Sequence, residues 1–196
     1  MIHKGKKLIY IPIPKTGSTS LRKMLEQLGF QRMPNNPRGG NHLTVKDCID
    51  LYKESNINLN EYTFFTSSRN CIDQFISSYK HVKLHKDPLW DKWRHLTPDE
   101  WWDLHEKKGE LYSYKRYLGD YNNKIRIKFF IRLESLKEDF YKFCDYYNFK
   151  KIPILHVNDL HLKISLSEKL KKKIVDLHLN DSKIHEDIMN NSLIPM

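Results

Sequence analysis

The first hydrophobic run of the chain is short and ends at two prolines. Lys7–Ile11 is rich in residues that favour strands, and Pro12 and Pro14 cannot donate to a sheet ladder, so a strand ends there. A helix with one buried face follows the next loop and closes at Gly29, because apolar residues recur at helical spacing at Leu21, Met24, Leu25 and Leu28. The chain therefore opens as strand, loop and helix.

The same order of strand, turn and helix recurs twice. Tyr62–Thr66 is a second strand candidate, and the alternating positions Ile125, Ile127, Phe129 and Ile131 mark a third. Each is followed by helical spacing, at Ile72, Phe75, Ile76 and Tyr79 and then at Phe140, Phe143, Cys144 and Tyr147. This order favours right-handed crossovers and predicts an α/β fold, with a mostly parallel central sheet flanked by helices, in a single domain over residues 1–196.

Helix starts are marked by capping residues. Thr44 is a candidate N-cap for a helix whose apolar face is Val45, Cys48, Ile49 and Tyr52. Thr97–Glu100 has the capping-box pattern with Pro at the first helical position. Ser135–Glu138 and Ser165–Glu168 have the same Ser and Glu spacing, so we expect each to cap a helix.

The net charge of the chain indicates the charge of its binding partner. With 34 Lys and Arg against 24 Asp and Glu, the formal net charge is +10, so the partner is expected to be anionic. Nucleic acid, an acidic membrane surface, a nucleotide cofactor and an acidic glycan all remain open on this ground. No segment approaches the roughly 20 apolar residues that span a bilayer, and Leu8–Ile13 is too short for a secretory signal. We expect a cytoplasmic protein without a membrane anchor.

The metal-binding residue types show no ligand pattern. Cys48, Cys71 and Cys144 are isolated in the sequence, which fits buried thiols in a reducing compartment. His81 and His85 lie at i and i+4, but no Glu follows the first His as in H-E-x-x-H, so a solvated helix face is the interpretation. No metal is expected.

The loop Pro14–Ser20, between the first strand and its helix, is a candidate anion site. It combines a helix start, whose N–H groups and dipole favour anions, with a lysine, a flexible glycine and four hydroxyls, at Lys15, Thr16, Gly17, Ser18, Thr19 and Ser20. A Walker A loop is absent from the sequence, because no G-x-x-x-x-G-K-[ST] occurs. The alternative is a polar turn with an ordinary N-capping Ser or Thr.

A second anion site is predicted where the next strand ends. Arg69 follows that strand, and Ser77 lies about two turns into the helix that starts near Asn70, so both can share one anion. Arg132 ends the third strand. Ligand sites of open α/β sheets lie beyond the carboxyl ends of the strands, so the three strand ends should meet at one crevice.

These segments resemble the sulfotransferases that use 3′-phosphoadenosine-5′-phosphosulfate, whose fold is like that of the nucleotide kinases and their P-loop. Ile11–Leu21 is similar to that family's 5′-phosphosulfate loop, and Arg69–Tyr79 is similar to its 3′-phosphate motif, with Cys71 at the usual Pro. Phe130–Phe140 and the late His156-x-Asn158 extend the likeness. The resemblance is closest to the Golgi-type carbohydrate sulfotransferases and their bacterial relatives.

The resemblance implies roles for the site residues. Lys15 and the hydroxyls of Thr16, Ser18, Thr19 and Ser20 would hold the 5′-phosphate, and Arg69 and Ser77 the 3′-phosphate. Lys15 would also neutralise charge on the leaving oxygen. The product is adenosine 3′,5′-bisphosphate, and no metal is needed. The acceptor is expected to be a hydroxyl of a carbohydrate, and the net positive charge favours an acidic one.

The acceptor hydroxyl needs a general base to remove its proton, and in the family that the chain resembles this base is a His or a Glu. His42, just before a helix start, also resembles the family's His-Leu-Thr segment, and an imidazole titrates near neutral pH. The alternative is a His that packs or caps the helix. Glu134 and His156 are weaker substitutes. Four tryptophans are candidates to line an acceptor groove or to shelter the adenine, and the alternative is packing in the core: Trp90, Trp93, Trp101 and Trp102.

Nucleic-acid binding and ATP-dependent phosphate transfer are the two alternatives to a sulfotransferase. A basic nucleic-acid-binding module lacks an RNP-like, KH or zinc pattern here, and its basic residues are scattered among acids, so no nucleic acid partner is expected. An ATP-dependent kinase lacks both Walker A and a recognisable magnesium-binding pair. The sequence therefore favours sulfuryl transfer.

Overall fold

The computed structural model describes residues 1–33, 42–53, 57–86, 88–108, 114–119, 127–155 and 162–179. The strands are β1 (Ile2–His3), β2 (Leu8–Ile11), β3 (Thr63–Ser68) and β4 (Ile127–Arg132). The helices are α1 (Ser18–Gln27), α2 (Val45–Lys53), α3 (Cys71–Leu84), α4 (Asp91–Arg94), α5 (Pro98–Lys107), α6 (Tyr114–Leu118), α7 (Leu136–Tyr146) and α8 (Glu168–Leu179). The predictions at Ile125 and His156 lie outside the described residues.

The four strands form one sheet in the order β1-β2-β3-β4. Strands β2, β3 and β4 are parallel, with Ile11 paired to Thr66 and Ser68 paired to Arg132, and β1 joins β2 antiparallel. The predicted α/β class with a mostly parallel sheet flanked by helices is confirmed. The parallel pairing places the carboxyl ends of three strands at one edge, next to the loops that follow them.

Both faces of the sheet are buried, as expected for parallel strands covered by helices. Side chains of β2 alternate between the faces, because successive residues of a strand point in opposite directions. Leu8 and Tyr10 pack with α1 and α7, and Ile9 and Ile11 pack with α2 and α6. A third apolar cluster joins α3, α5 and α8 beside the sheet.

Strand β4 departs from the alternation read in its sequence. Phe64 pairs with Ile127 but Phe65 pairs with Phe129, so Lys128 is an extra residue in the ladder. The bulge places Ile127 with Phe130 on one face, and Phe129 on the other. A period of two predicts the strand here but assigns Ile127 to the wrong face.

Two of the predicted caps are confirmed. The Thr97 hydroxyl accepts from the N–H of Glu100, and the Glu100 carboxylate accepts from the N–H of Thr97 in a complete capping box. Thr44 accepts from the N–H of Asp47 at 3.0 Å, and the Asp47 carboxylate accepts from the N–H of Thr44 at 2.9 Å. The starts of α5 and α2 are thus fixed by local contacts.

The two serine caps are corrected. Ser135 precedes α7 but makes no side-chain cap, because its hydroxyl donates to the Asp139 carboxylate at 3.2 Å. Before α8, Ser167 and not Ser165 is the capping residue, since its hydroxyl accepts from the N–H of Leu170 at 3.1 Å. The Ser167 hydroxyl in turn donates to Asp99 of α5 at 2.8 Å. The Ser135 hydroxyl is thus engaged by a carboxylate four residues along the same helix, and the Ser167 hydroxyl by a carboxylate on another helix.

Three elements have no counterpart in the sequence predictions. Strand β1, helix α4 and helix α6 have 2, 4 and 5 residues, too short for a hydrophobic period to show. Helix α6 nevertheless places Tyr114 and Leu118 in the core beneath β4. Among the residues that the structure describes, no helix has the length and apolar character needed to cross a membrane.

Candidate active site

The loop between β2 and α1 holds an unusual backbone conformation. Lys15 and Gly17 have positive φ angles of 64° and 77°, a region that is costly for residues with a Cβ. At Gly17 an added Cβ would lie 2.6 Å from Cδ1 of Leu133, so the Leu133 side chain would have to move to admit one. Helix α1 begins directly after Gly17 with no side-chain cap and no acidic residue in its first turn. Such a helix start attracts an anion.

A chain of buried hydroxyls anchors this loop to β3. The Thr16 hydroxyl donates to the carbonyl of Ile13 at 2.9 Å and lies 2.6 Å from the Ser67 hydroxyl, which lies 2.8 Å from that of Tyr10. Since Thr16 uses its only proton on Ile13, Ser67 donates to Thr16 and Tyr10 donates to Ser67. Thr16 is 0% exposed, so its hydroxyl faces the interior of the fold.

Helix α3 is tied to the same loop from the other side. The Gln74 amide donates to the carbonyl of Pro14 at 2.8 Å, and Nη1 of Arg69 donates to the carbonyl of Lys15 at 3.3 Å. The Asn70 side chain caps α3. Lys15 and Arg69 therefore lie together at the carboxyl edge of the sheet, as the order of the strands predicts.

The remaining predicted anion ligands lie on the two helices that start at this edge. Ser18 and Ser20 are buried and Thr19 is half-buried in the first turn of α1. Ser77 is half-buried on α3, about two turns after its N-cap. The structure thus brings the first turn of α1 and the front of α3 to the same edge.

The Lys15 ammonium lies in an environment that disfavours its charge. Burial and, next, the neighbouring Arg69 guanidinium lower the pKa of Lys15 to about 8. Two cations and a helix N-terminus at one place, partly removed from water, form a site of strong positive potential. An anion bound there would relieve the repulsion and raise the pKa of Lys15 again.

His42 lies beside the start of the loop with a defined tautomer. Its Nδ1 is 3.0 Å from the carbonyl of Pro12, and a carbonyl only accepts, so Nδ1 carries the proton. The other nitrogen, Nε2, therefore holds a lone pair in the neutral ring. Burial lowers the pKa of His42, the bond to Pro12 opposes this, and the charges of Arg22 and Lys15 lower it further. The ring is neutral at pH 7 and able to take a proton.

Arg132, the last residue of β4, and Glu134, two residues later, hold this edge of the sheet together. Arg132 makes a bidentate contact with the buried carboxylate of Asp139, at 2.8 and 2.9 Å. The Glu134 carboxylate accepts from the backbone N–H of Asn70 at 2.6 Å. These contacts position the start of α3 next to β4 and leave Lys15 and Arg69 as the cations that meet at the loop.

Several residues at this edge were not predicted as part of the site. Gln74 and Ser67 bind the loop, and the Tyr114 hydroxyl accepts from the N–H of Arg69 at 3.0 Å. Arg22, in the second turn of α1, adds positive charge near His42. The sequence carries no signal for Arg22, because it lies in the second turn of α1, beyond the first turn where the helix dipole acts.

The geometry of this edge of the sheet defines a class of protein. An α/β sheet carries, at the carboxyl ends of its parallel strands, a cationic loop, a helix start and an imidazole with a free lone pair, the parts needed to bind an anionic donor and to deprotonate an acceptor. The chain matches the model of the sulfotransferase family over residues 1–188 and belongs to that family. It is accordingly an enzyme of sulfuryl transfer. Searches of curated proteins and of solved structures found no match.

Proposed function

We propose that the protein transfers the sulfuryl group of 3′-phosphoadenosine-5′-phosphosulfate to a hydroxyl of a carbohydrate. The observation that carries the proposal is the bond from the Arg69 guanidinium to the carbonyl of Lys15, at 3.3 Å. It joins the two predicted phosphate sites, which are 54 residues apart in the chain, at one edge of the sheet. A single nucleotide with phosphates on both sides of its ribose fits two adjacent cationic positions.

The residues of the loop fit a bound phosphosulfate. Gly17 permits the positive φ of the loop and the close approach of the Leu133 side chain just before the start of α1. Lys15 and the first turn of α1, with Ser18, Thr19 and Ser20, would hold the 5′-phosphate. The Thr16 hydroxyl is already given to Ile13, and Thr16 is assigned to the site through its main chain alone.

The 3′-phosphate is assigned to Arg69 and Ser77. The Arg69 backbone is fixed by the Tyr114 hydroxyl, which accepts from its N–H at 3.0 Å and donates to its carbonyl at 3.3 Å. Ser77 projects from α3, the helix that Asn70 caps immediately after Arg69. Preorganisation of this kind lowers the entropy that binding must overcome.

Catalysis in this arrangement rests on positioning and charge, by analogy with phosphoryl transfer. The bond between sulfur and the bridging phosphate oxygen breaks, and a bond from sulfur to the acceptor oxygen forms. Lys15 stabilises the negative charge that develops on the leaving oxygen. His42 receives the acceptor proton on Nε2, while its Nδ1 stays bonded to the Pro12 carbonyl.

The donor class is tested by thermal shift with adenosine 3′,5′-bisphosphate beside ATP. We expect the bisphosphate to raise the melting temperature more than ATP at equal concentration, because a ligand of the folded state stabilises it by mass action. In Arg69→Ala, loss of a charge-assisted contact should weaken binding of the bisphosphate by about 10–100-fold.

Arg32→Ala is the control for that experiment, since Arg32 is an exposed arginine paired with Glu26 on the surface. It should bind the bisphosphate as the parent protein does. Equal stabilisation by ATP, or none by either nucleotide, would contradict the proposed donor. Equal loss in both arginine variants would show that net charge alone is responsible.

The depressed pKa of Lys15 predicts how donor binding depends on pH. Below about pH 8 Lys15 is already charged and affinity is full, and above it the site must take up a proton to bind an anion. Affinity for adenosine 3′,5′-bisphosphate should then fall about tenfold per pH unit, until the pKa of Lys15 in the complex is reached. Calorimetry at pH 9 in two buffers of different ionisation enthalpy measures this proton uptake.

Lys15→Arg supplies the comparison, because a guanidinium stays charged throughout this range. Its affinity should be independent of pH between 7 and about 9.5, whatever its absolute value. The same slope in the variant and in the parent would assign the titration to another group.

A further inference from the structure

Four aromatic rings continue from the donor site along the surface of α3. Ser77, His81 and His85 are spaced by four residues and share one face of the helix. The ring centroids of His81 and His85 are 4.6 Å apart, and Trp90 lies 5.6 Å from His81. Trp93 follows at 5.3 Å from Trp90. We call His81, His85, Trp90 and Trp93 the aromatic face.

The aromatic face borders the apolar cluster that contains the other two tryptophans, and its Trp90 and Trp93 pack against that cluster while staying partly exposed. Trp101 and Trp102 are buried against Phe75 in the cluster of α3, α5 and α8. Trp90 and Trp93 are half-buried, and beside them Leu84 and Leu89 are 48% and 72% exposed. Exposed apolar side chains grouped around aromatic rings are typical of a binding surface.

The inner end of this face adjoins the reacting groups. Helix α3 is tied to the donor loop by the bond from Gln74 to the Pro14 carbonyl, at 2.8 Å. Burial, then the charge of Lys15 and then that of His85 together lower the pKa of His81 to about 4, so the Lys15 ammonium is close enough to act on His81. The charge of the same ammonium also lowers the pKa of His42. The charge of Lys15 therefore reaches two imidazoles, that of His42 beside the donor loop and that of His81 on α3.

The outer end carries positive charge. The ammonium of Lys92 is 4.5 Å from the centre of the Trp93 ring, and that of Lys108 is 5.7 Å from it. His81 is neutral at pH 7, so it offers one donor and one acceptor at the rim of the aromatic face. The surface therefore changes from the cationic loop, through a neutral imidazole and indoles, to two lysines.

We propose that the aromatic face binds a pyranose ring of the acceptor and presents its hydroxyl to Lys15 and His42. A pyranose has an apolar C–H face, which packs on an indole, and a rim of hydroxyls, which need partners that both donate and accept. The face supplies both kinds of contact next to the donor loop, and its lysines suit an acidic substituent on the sugar. The inference rests on the proposed function, and His81 is a positioning residue for the acceptor.

The test uses cellobiose, N-acetylchitobiose and a chondroitin disaccharide as acceptors, with 4-nitrophenol as the phenolic comparison. Transfer of labelled sulfate is measured on each, and saturation-transfer NMR of the same sugars is recorded on the protein loaded with adenosine 3′,5′-bisphosphate. We expect a sugar to bind and react, and Trp90→Ala to raise its KM about tenfold through lost ring stacking, with kcat little changed. His81→Asn should raise KM as well, whereas His42→Ala should lower kcat.

Tyr146→Ala is the matched control, because Tyr146 is an aromatic residue 44% exposed on α7, and its KM should equal that of the parent. Trp90→Phe, which keeps a ring, should lie between the parent and Trp90→Ala. Binding of the bisphosphate with no binding of any sugar, an unchanged KM in Trp90→Ala, or reaction of 4-nitrophenol alone overturns the inference and leaves the donor site standing. Failure to bind the bisphosphate overturns the proposed function itself.

Discussion

Replacement of Lys15 by alanine is expected to lower kcat for sulfuryl transfer by about 10²–10³-fold, the loss typical when one group that stabilises developing charge is removed. Lys15 lies in a partly buried place, where electrostatic interactions are stronger than in water. Its main chain is held by the Arg69 guanidinium, so the backbone that carries the ammonium is fixed before the donor binds. Transfer of labelled sulfate under saturating donor measures the effect.

The same substitution should leave the fold intact. Burial and Arg69 disfavour the Lys15 charge, as its lowered pKa shows, so its removal costs the folded state little. Alanine also has a Cβ, so the backbone strain at φ 64° is unchanged. The melting temperature should therefore stay the same or rise, as is common where a strained or charged site serves activity.

Lys23→Ala is the control for this prediction, because Lys23 is an exposed lysine on α1, the helix that follows the loop. It should retain the parent kcat. A kcat within a few-fold of the parent in Lys15→Ala would remove Lys15 from the reaction. A lower melting temperature would show instead that Lys15 supports the fold.

The meeting of Lys15 with Arg69 could be predicted from the sequence because it depends on strand order alone. Each residue follows an apolar strand, and the carboxyl ends of neighbouring parallel strands lie at one edge. The role of the Thr16 hydroxyl could not be predicted from the sequence. Its partner is Ser67, 51 residues away, and only the register of β2 against β3 brings the two together.

Caps show the same division between local and distant causes. Thr97 and Glu100 are partners within one turn, so their spacing is sufficient. The Ser135 hydroxyl is taken by Asp139, which also holds Arg132 at the end of β4. Ser167 replaces Ser165 because it contacts Asp99 on another helix. Sequence spacing does not show that the Ser135 hydroxyl turns to Asp139 instead of a backbone N–H, and it does not contain the contact between Ser167 and Asp99.

The four tryptophans illustrate a further limit. Their residue type favours both a core and a binding surface, and spacing does not separate the two. Packing does, because α5 turns Trp101 and Trp102 toward Phe75, while Trp90 lies against His81. The aromatic face is therefore a result of how the segment that carries Trp90 and Trp93 packs beside His81, and only the structure shows it.

Gly17→Ala is expected to lower the free energy of unfolding by about 3 kcal/mol and to weaken binding of adenosine 3′,5′-bisphosphate. A Cβ at φ 77° costs roughly 1–2 kcal/mol, and its overlap with Cδ1 of Leu133, 2.6 Å away, adds about 1–3 kcal/mol. If the loop shifts to relieve the overlap, the start of α1 moves away from the anion. Chemical denaturation and calorimetry with the bisphosphate measure the two effects.

Two companion variants separate strain from overlap. Gly119 has a similar φ of 67° and nothing within 4 Å of an added Cβ, so Gly119→Ala should cost only the roughly 1–2 kcal/mol of strain. In Leu133→Ala the clash is gone, so adding Gly17→Ala to that background should cost no more than it does at Gly119. Equal losses in Gly17→Ala and Gly119→Ala would mean that Leu133 yields freely. The contact between Leu133 and the donor loop would then be a loose one, and the extra cost expected for Gly17→Ala would be wrong.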